Sequence, residues 1–233
     1  MGAVSDAAAG TTTTTTLLLV RHGEAANNRD QRIGGWSDLP LTDLGHAQAA
    51  AAGAALAGRR LDAIWSSDLP RAAATAAAIA AHHGAEVVAE PGLRERSLGV
   101  LDGMTFADAR ARYPALARGL LDRTEDGLPE GGETLADVYT RVTGAVERAA
   151  AAHPGGTVVL VSHGIALYHA FCHVVGVGMP AATHRIFTLV DNASISELTQ
   201  RRSGSSARWA LVRWNDVGHL ASMNAGARAG LIT

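Results

Sequence analysis

The chain has 233 residues, 47% of them hydrophobic, 18% charged and 4% aromatic, with a formal net charge of -2. That length suits one large α/β domain with a substantial core, and the near-zero charge argues against a nucleic-acid partner, which would call for a basic face. One cysteine, Cys172, excludes an intrachain disulfide, no stretch reaches the ~18 apolar residues of a membrane span, and Met1 to Gly10 lacks the basic leader of a secretory signal, so the expectation is a cytoplasmic protein with neither nucleic acid nor membrane as partner.

Residues 1–13 read as a disordered lead whose threonine tract runs into a first strand, Leu17-Leu18-Leu19-Val20. A continuous apolar run of this length marks a strand buried on both faces of a parallel sheet. Leu41 to Gly58 is a helix, with Thr42 as N-cap and Gly58 as its stop. A short strand over Leu61–Ser66, a helix over Leu69–His83 and a strand over Glu86–Ala89 follow. Residues 96–132 carry Gly99, Gly103, Pro114, Gly127 and Pro129 around short helical pieces and read as an insertion over the sheet edge. A helix over Leu135–Ala152 leads through His153-Pro154-Gly155-Gly156 into a second apolar strand, Val158 to Val161, and a helix over Gly164–Val175. The β-rich runs Arg185–Val190, Ser194–Thr199 and Trp209–Trp214 suit a strand pair or an antiparallel edge, and residues 221–233 a flexible tail. The alternation predicts a three-layer α/β sandwich with a mostly parallel central sheet, as one domain over residues 14–220.

Both apolar strands end in a histidine followed by glycine: Arg21-His22-Gly23-Glu24 and Ser162-His163-Gly164. Open α/β sheets bind ligands just beyond the carboxyl ends of their strands, so the two imidazoles can meet there. Glycine after each histidine permits positive φ and leaves no Cβ in a ligand's way, and Arg21 adds a fixed cation suited to phosphate. Local readings compete: an Arg-His pair can be a solvated loop entry, Glu95 a salt-bridge partner of Arg94 or Arg96, and Asn28 a turn residue with Asn27 as rival. Arg71 fits its helix start poorly as an ordinary charge, which favours an anion partner. His169, Cys172 and His173 fall at i, i+3 and i+4, a spacing that can face a metal ion, but with no fourth ligand evident they read as partly buried helix residues. There is no Gly-x-Ser-x-Gly elbow, no Walker loop and no His-Glu-x-x-His pair.

Leu19-Val20-Arg21-His22-Gly23-Glu24 with Asn28, Ser66-Ser67-Asp68-Leu69-Pro70-Arg71-Ala72, Leu93-Arg94-Glu95 with Gly99 and Gly103, Glu130-Gly131-Gly132-Glu133-Thr134, Val161-Ser162-His163-Gly164 and Asn192-Ala193-Ser194 occur in that order. Together the blocks resemble the histidine phosphatase superfamily, in its phosphoglycerate-mutase-like branch, from about Leu17 to Leu220. The resemblance implies His22 as the nucleophile that takes the phosphoryl group, Arg21, Asn28, Arg71 and His163 as phosphate ligands, and Glu95 as general acid. It implies a phosphomonoesterase that needs no metal and no cofactor, with a small phosphomonoester as substrate and a homo-oligomer as a possible state. Gly34 and Trp36 are the candidate substrate contacts, on a rim shared with Arg96-Ser97-Leu98 and with Met104 and Phe106 of the insertion. Mutases of this family carry an aromatic residue before the asparagine, where this chain has Asn27. They also carry a basic, proline-rich stretch after the glutamate motif, which Thr105 to Gly127 lacks. Hydrolysis is therefore the expected reaction, with mutase-type phosphoryl transfer the alternative. A non-catalytic phospho-ligand binder ranks behind both, because His22 and Glu95 are both present.

Overall fold

The computed structural model describes residues 11–122, 130–179 and 187–223. Most of the expected lead, Gly127 and Pro129 of the insertion, Arg185 of the first β-rich run and the tail beyond Met223 lie outside the described residues.

Six strands form one sheet: β1 (Thr13–Arg21), β2 (Ala63–Ser66), β3 (Val87–Ala89), β4 (Thr157–Ser162), β5 (Ile195–Ser203) and β6 (Ser206–Asp216). Their order is β3-β2-β4-β1-β5-β6. The first four run parallel, and β5 and β6 add an antiparallel edge. Seven α-helices among the described residues accompany them: α1 (Ala26–Arg29), α2 (Asp43–Leu56), α3 (Pro70–Ala80), α4 (Phe106–Arg112), α5 (Pro114–Asp122), α6 (Leu135–Ala152) and α7 (Gly164–Val174). Thr42 caps α2 as its sequence predicts, its hydroxyl accepting from Gly45 N at 3.0 Å.

The two central strands are buried on both faces because successive residues point to opposite sides. Leu17, Leu19, Val158 and Leu160 pack with Val138, Val142 and Val146 of α6 and Ala166 and Leu167 of α7. Leu18, Val20, Val159 and Val161 pack on the other side with Leu56 of α2 and Ala72, Ala76 and Ile79 of α3. Each such side chain contributes roughly 1.5–3 kcal/mol by leaving water, and the continuous apolar runs are what place β1 and β4 at the centre of the sheet. The alanine-rich helices approach closely: a Cβ on Gly53 of α2 would stand 2.7 Å from the Ala78 carbonyl of α3.

Two expectations change. Of the run Arg185–Val190, the described part, Phe187 to Val190, is not a strand. Its carbonyls are taken by side chains instead of a ladder: Leu189 O accepts the Trp214 indole N–H at 3.1 Å and Val190 O accepts Arg21 Nη1 at 2.5 Å. In the insertion, Leu98, Met104 and Phe106 join Ile33, Leu101 and Ala109 in a small separate core. Their apolar character holds the insertion together before it offers anything to a ligand.

Candidate active site

Arg21 lies opposite Ser162 in the β1–β4 register, so the next residue of each strand, His22 and His163, emerges at the same end of the sheet. Both are buried, and their ring centroids lie 5.0 Å apart. His22 Nδ1 sits 2.6 Å from the carbonyl of Gly23. A carbonyl can only accept, so Nδ1 carries the proton and Nε2 keeps its lone pair. Two further donors hold the His22 carbonyl, Asn192 Nδ2 and Ala193 N, each at 3.1 Å.

Gly23 is present for packing rather than for ligand access or positive φ. A Cβ there would stand 2.3 Å from Gly45 O, and a Cβ on Gly45 would stand 1.9 Å from Glu24 O. The loop after His22 thus lies directly against the first turn of α2. Gly164 does border the site: its Cβ would meet Arg21 Cζ at 3.8 Å and Glu95 Oε2 at 3.9 Å.

The N-terminus of α3 delivers Arg71, which is 1% exposed. Its Nη1 donates to Ser37 O at 2.9 Å and its Nη2 to Gly35 O at 2.8 Å. The ring of His163 is oriented by Ser67, whose Oγ lies 2.8 Å from Nε2 and also accepts from Leu69 N at 3.3 Å. The Ser67 hydroxyl keeps a second lone pair and can donate to Nε2 or accept from it, and the role of His163 Nδ1 follows that choice. That Nδ1, Arg21 Nε and Arg71 Nε are buried with no hydrogen-bond partner, and neither arginine is in a salt bridge among the described residues. Buried unpaired cations and polar atoms are costly, and an anion bound beside them would offset that cost.

Electrostatics agree. Burial, followed by the charges of Arg71 and Arg21, holds the pKa of His22 well below the ordinary imidazole value, so it stays neutral and nucleophilic. Burial first, then Arg71 and His22, does the same for His163. Burial also lowers Arg71, to about 10, against the opposing pull of Glu95.

Glu95 does not pair with Arg94, which is bound to Asp68 instead. Its carboxylate lies over the N-terminus of α7, with Oε1 accepting from Arg96 N (2.9 Å) and Ala166 N (3.2 Å) and Oε2 from Ile165 N (3.2 Å). Helix N-termini attract carboxylates in this way. Asn28 uses its Oδ1 to accept from Ala25 N at 3.0 Å and Asn192 Nδ2 at 3.3 Å, which turns its amide nitrogen away from α1. Asn27 is buried, and its Nδ2 stands 2.8 Å from where a Gly34 Cβ would be, with Arg71 Nη2 at 3.8 Å from the same point. Gly34 is thus backbone pressed against two polar groups of the site. Trp36 is 38% exposed, carries the Arg94 guanidinium over its ring at 4.6 Å, and donates its indole N–H to Glu95 O at 2.7 Å.

His169, Cys172 and His173 do not converge. His169 and Cys172 are buried, whereas His173 Nε2 turns to Glu147 at 2.9 Å. No three His, Cys, Asp or Glu side chains among the described residues are grouped to hold a metal. Ser67, Thr75, Asn192 and Asp102 support the site in roles that the sequence did not assign, although Ser67 and Asn192 stand in its motif blocks. Thr75 accepts from Gly23 N at 3.1 Å, and Asp102 accepts from Trp36 N at 3.0 Å and Leu98 N at 2.9 Å. Short polar residues of these types occur throughout any chain, and only the fold shows which of them touch the site.

The family model described as histidine phosphatase superfamily (branch 1) matches residues 17–217. The chain belongs to this superfamily. Among its curated relatives, a probable phosphoglycerate mutase GpmB of Proteus mirabilis is 36% identical over 202 residues, covering 86% of this chain and 93% of that protein. Phosphoglycerate mutase-like protein 4 of Arabidopsis thaliana is 33% identical over 204 residues, covering 86% and 85%. Among solved structures, a mycobacterial glucosyl-3-phosphoglycerate phosphatase in complex with VO3 superposes with a TM-score of 0.75 at 33% identity, over 86% of this chain and 98% of that one. A phosphoserine phosphatase variant of Entamoeba histolytica in complex with phosphoserine gives 0.72 at 27% identity, over 88% and 99%. The superfamily's α/β sandwich is therefore this chain's fold, and no helix among the described residues is long and apolar enough to cross a membrane.

The buried neutral histidines make stability acid-sensitive. His22, His163 and His169 all have folded pKa values below the unfolded one, His169 at about 3 through burial and then the charges of Arg141 and Arg96. Above the unfolded value none of them costs anything. As pH falls below about 6.5 the unfolded chain takes up protons that the fold refuses, and each histidine removes about 1.4 kcal/mol per pH unit. Urea unfolding across pH 7 to 4.5 is expected to show this slope, and His169→Leu, outside the phosphate cluster, to reduce it by one such increment. An unchanged slope in that variant would show that His169 is not the group withholding a proton.

Proposed function

We propose that the protein is a phosphomonoester hydrolase that works through a phosphohistidine on His22. The observation that carries this reading is that Arg21 Nε, Arg71 Nε and His163 Nδ1 are all buried without a hydrogen-bond partner, and that the charges of both arginines act on both histidines. A bound phosphate monoester completes their hydrogen bonds and presents its phosphorus to His22 Nε2. Nε2 forms the P–N bond as the ester P–O bond breaks, and the leaving oxygen takes a proton from the Glu95 carboxyl. Water then attacks the phosphohistidine, returns a proton to Glu95, and inorganic phosphate departs as the P–N bond breaks. The two guanidinium groups stabilise charge on the equatorial oxygens throughout, the task that a metal ion performs in other phosphoryl-transfer enzymes. Asn28 adds its amide N–H, and Gly34 and Trp36 border the substrate's organic body.

Phosphorylated glycerates and phosphoserine, the substrate types in the names of the structural neighbours, belong in a substrate panel with sugar phosphates and nucleotides. Phosphate release from p-nitrophenyl phosphate is expected to continue unchanged after exhaustive chelation. Loss of activity, with recovery on adding one divalent metal, would overturn the metal-free mechanism. The names of the curated relatives support a second reading, mutase-type transfer. It would be recognised by interconversion of phosphoglycerate isomers without phosphate release.

A further inference from the structure

Arg141, in the second turn of α6, uses all five of its guanidinium N–H groups. Nε and Nη2 donate to the two oxygens of Glu133 at 2.7 and 2.8 Å. The rest go to the main chain that carries Glu95: Nη1 to Gly92 O (3.1 Å) and Arg94 O (2.6 Å), and Nη2 to Glu95 O (2.7 Å). A guanidinium is a rigid planar fork with five donors, so a fully used one fixes its partners in both distance and plane.

Glu133 fastens the following residues. Its Oε2 accepts from Ser97 N at 2.8 Å, its carbonyl from Arg96 Nε at 2.9 Å, and its N–H donates to Ser97 O at 3.0 Å. Just upstream, Leu93 O accepts the Ser162 hydroxyl at 2.7 Å. The main chain is therefore tied on both sides of residue 95 to α6 and to the end of β4. The Glu95 side chain reaches away from this anchorage, to α7.

We propose that Arg141 is the positioning residue of the acid–base step, fixing the main chain at Glu95 so that its carboxyl meets the leaving oxygen without Arg141 itself touching substrate. The proposal rests on Glu95 being the general acid. A merely structural Arg141 would affect every substrate alike, whereas a positioning one affects only reactions that need the proton.

The test is a double-mutant cycle over Arg141→Met and Glu95→Gln, read on p-nitrophenyl phosphate, which departs without a proton, and 2-phenylethyl phosphate, which requires one. In single-turnover phosphorylation of His22, Arg141→Met is expected to slow the phenylethyl ester about 10–100-fold while changing the aryl ester less than about 3-fold. KM for both esters and inhibition by vanadate should hold, since Arg21, Arg71 and His163 are untouched. In the Glu95→Gln background the same substitution should add little. Arg141→Lys keeps a charge for Glu133 but has a single nitrogen for three carbonyls. It should fall between wild type and Arg141→Met, and it carries the test if the methionine variant folds poorly. Equal losses on both esters, or losses that multiply with those of Glu95→Gln, would overturn the proposal. If Glu95→Gln itself treats the two esters alike, the acid reading fails separately, and the additivity of positions 141 and 95 still decides whether Arg141 acts through Glu95.

Discussion

Replacing His22 by alanine is expected to lower turnover of any phosphate monoester by at least about 10⁴-fold, because the proposed mechanism then loses its nucleophile. Its neutral state, the Nδ1–H bond to Gly23 O and the pressure of Gly23 on Gly45 all aim Nε2 into the cluster. His163 is the poorer nucleophile, since its Nε2 is bonded to Ser67. In wild-type protein quenched during turnover, radiolabelled phosphate should appear on the peptide containing His22, labile to acid and stable to base. The alanine variant should carry no label and still bind inorganic phosphate, because Arg21, Arg71 and His163 remain. Label on Ser162 or His163, or substantial activity in His22→Ala, would sink the assignment.

The scaffold of this site was legible in the sequence wherever a residue's pattern had one physical meaning. Two apolar runs ending in His-Gly specified two central parallel strands, and the fold brings those ends together as the rule for ligand crevices requires. Thr42 announced the start of α2 by its cap chemistry, and the helix expected over about Leu135 to Ala152 is α6. What stayed hidden depends on contacts between distant segments. Nothing local distinguishes Gly45 from any other helix glycine, and its role is set by the Glu24 carbonyl that lies against it. Arg141 looks like one more charge on an amphipathic helix, and only the return of the 92–97 loop shows that its donors face inward. For the same reason the sequence did not show that Met104 and Phe106, expected on the rim, also pack half-buried against Ile33 and Leu101.

The roles of Glu95 and Arg71 can be separated by the leaving group. p-Nitrophenolate departs as an anion, whereas an alkoxide needs a proton in the transition state. Glu95→Gln keeps the shape of the side chain and a carbonyl oxygen for the N–H groups of α7, but removes the transferable proton. In single-turnover measurements of His22 phosphorylation it is expected to slow 2-phenylethyl phosphate by roughly 10²–10⁴-fold and the aryl ester much less. Single turnovers are essential, because Glu95 also takes the proton from water in the second step and would slow steady-state turnover of both esters. Arg71→Ala is the counterpart. In the proposed mechanism its buried guanidinium holds the phosphate, so its loss removes stabilisation from charge that develops on the phosphoryl group in either reaction. Both esters should slow alike, by about 10²–10³-fold, the scale of losing one preorganised donor. Removing Arg71 also releases the loop held through Gly35 O and Ser37 O, so KM should rise along with the fall in kcat. Equal losses on the two esters in Glu95→Gln would mean that the carboxylate organises the site, and the proton would then have to come from another residue.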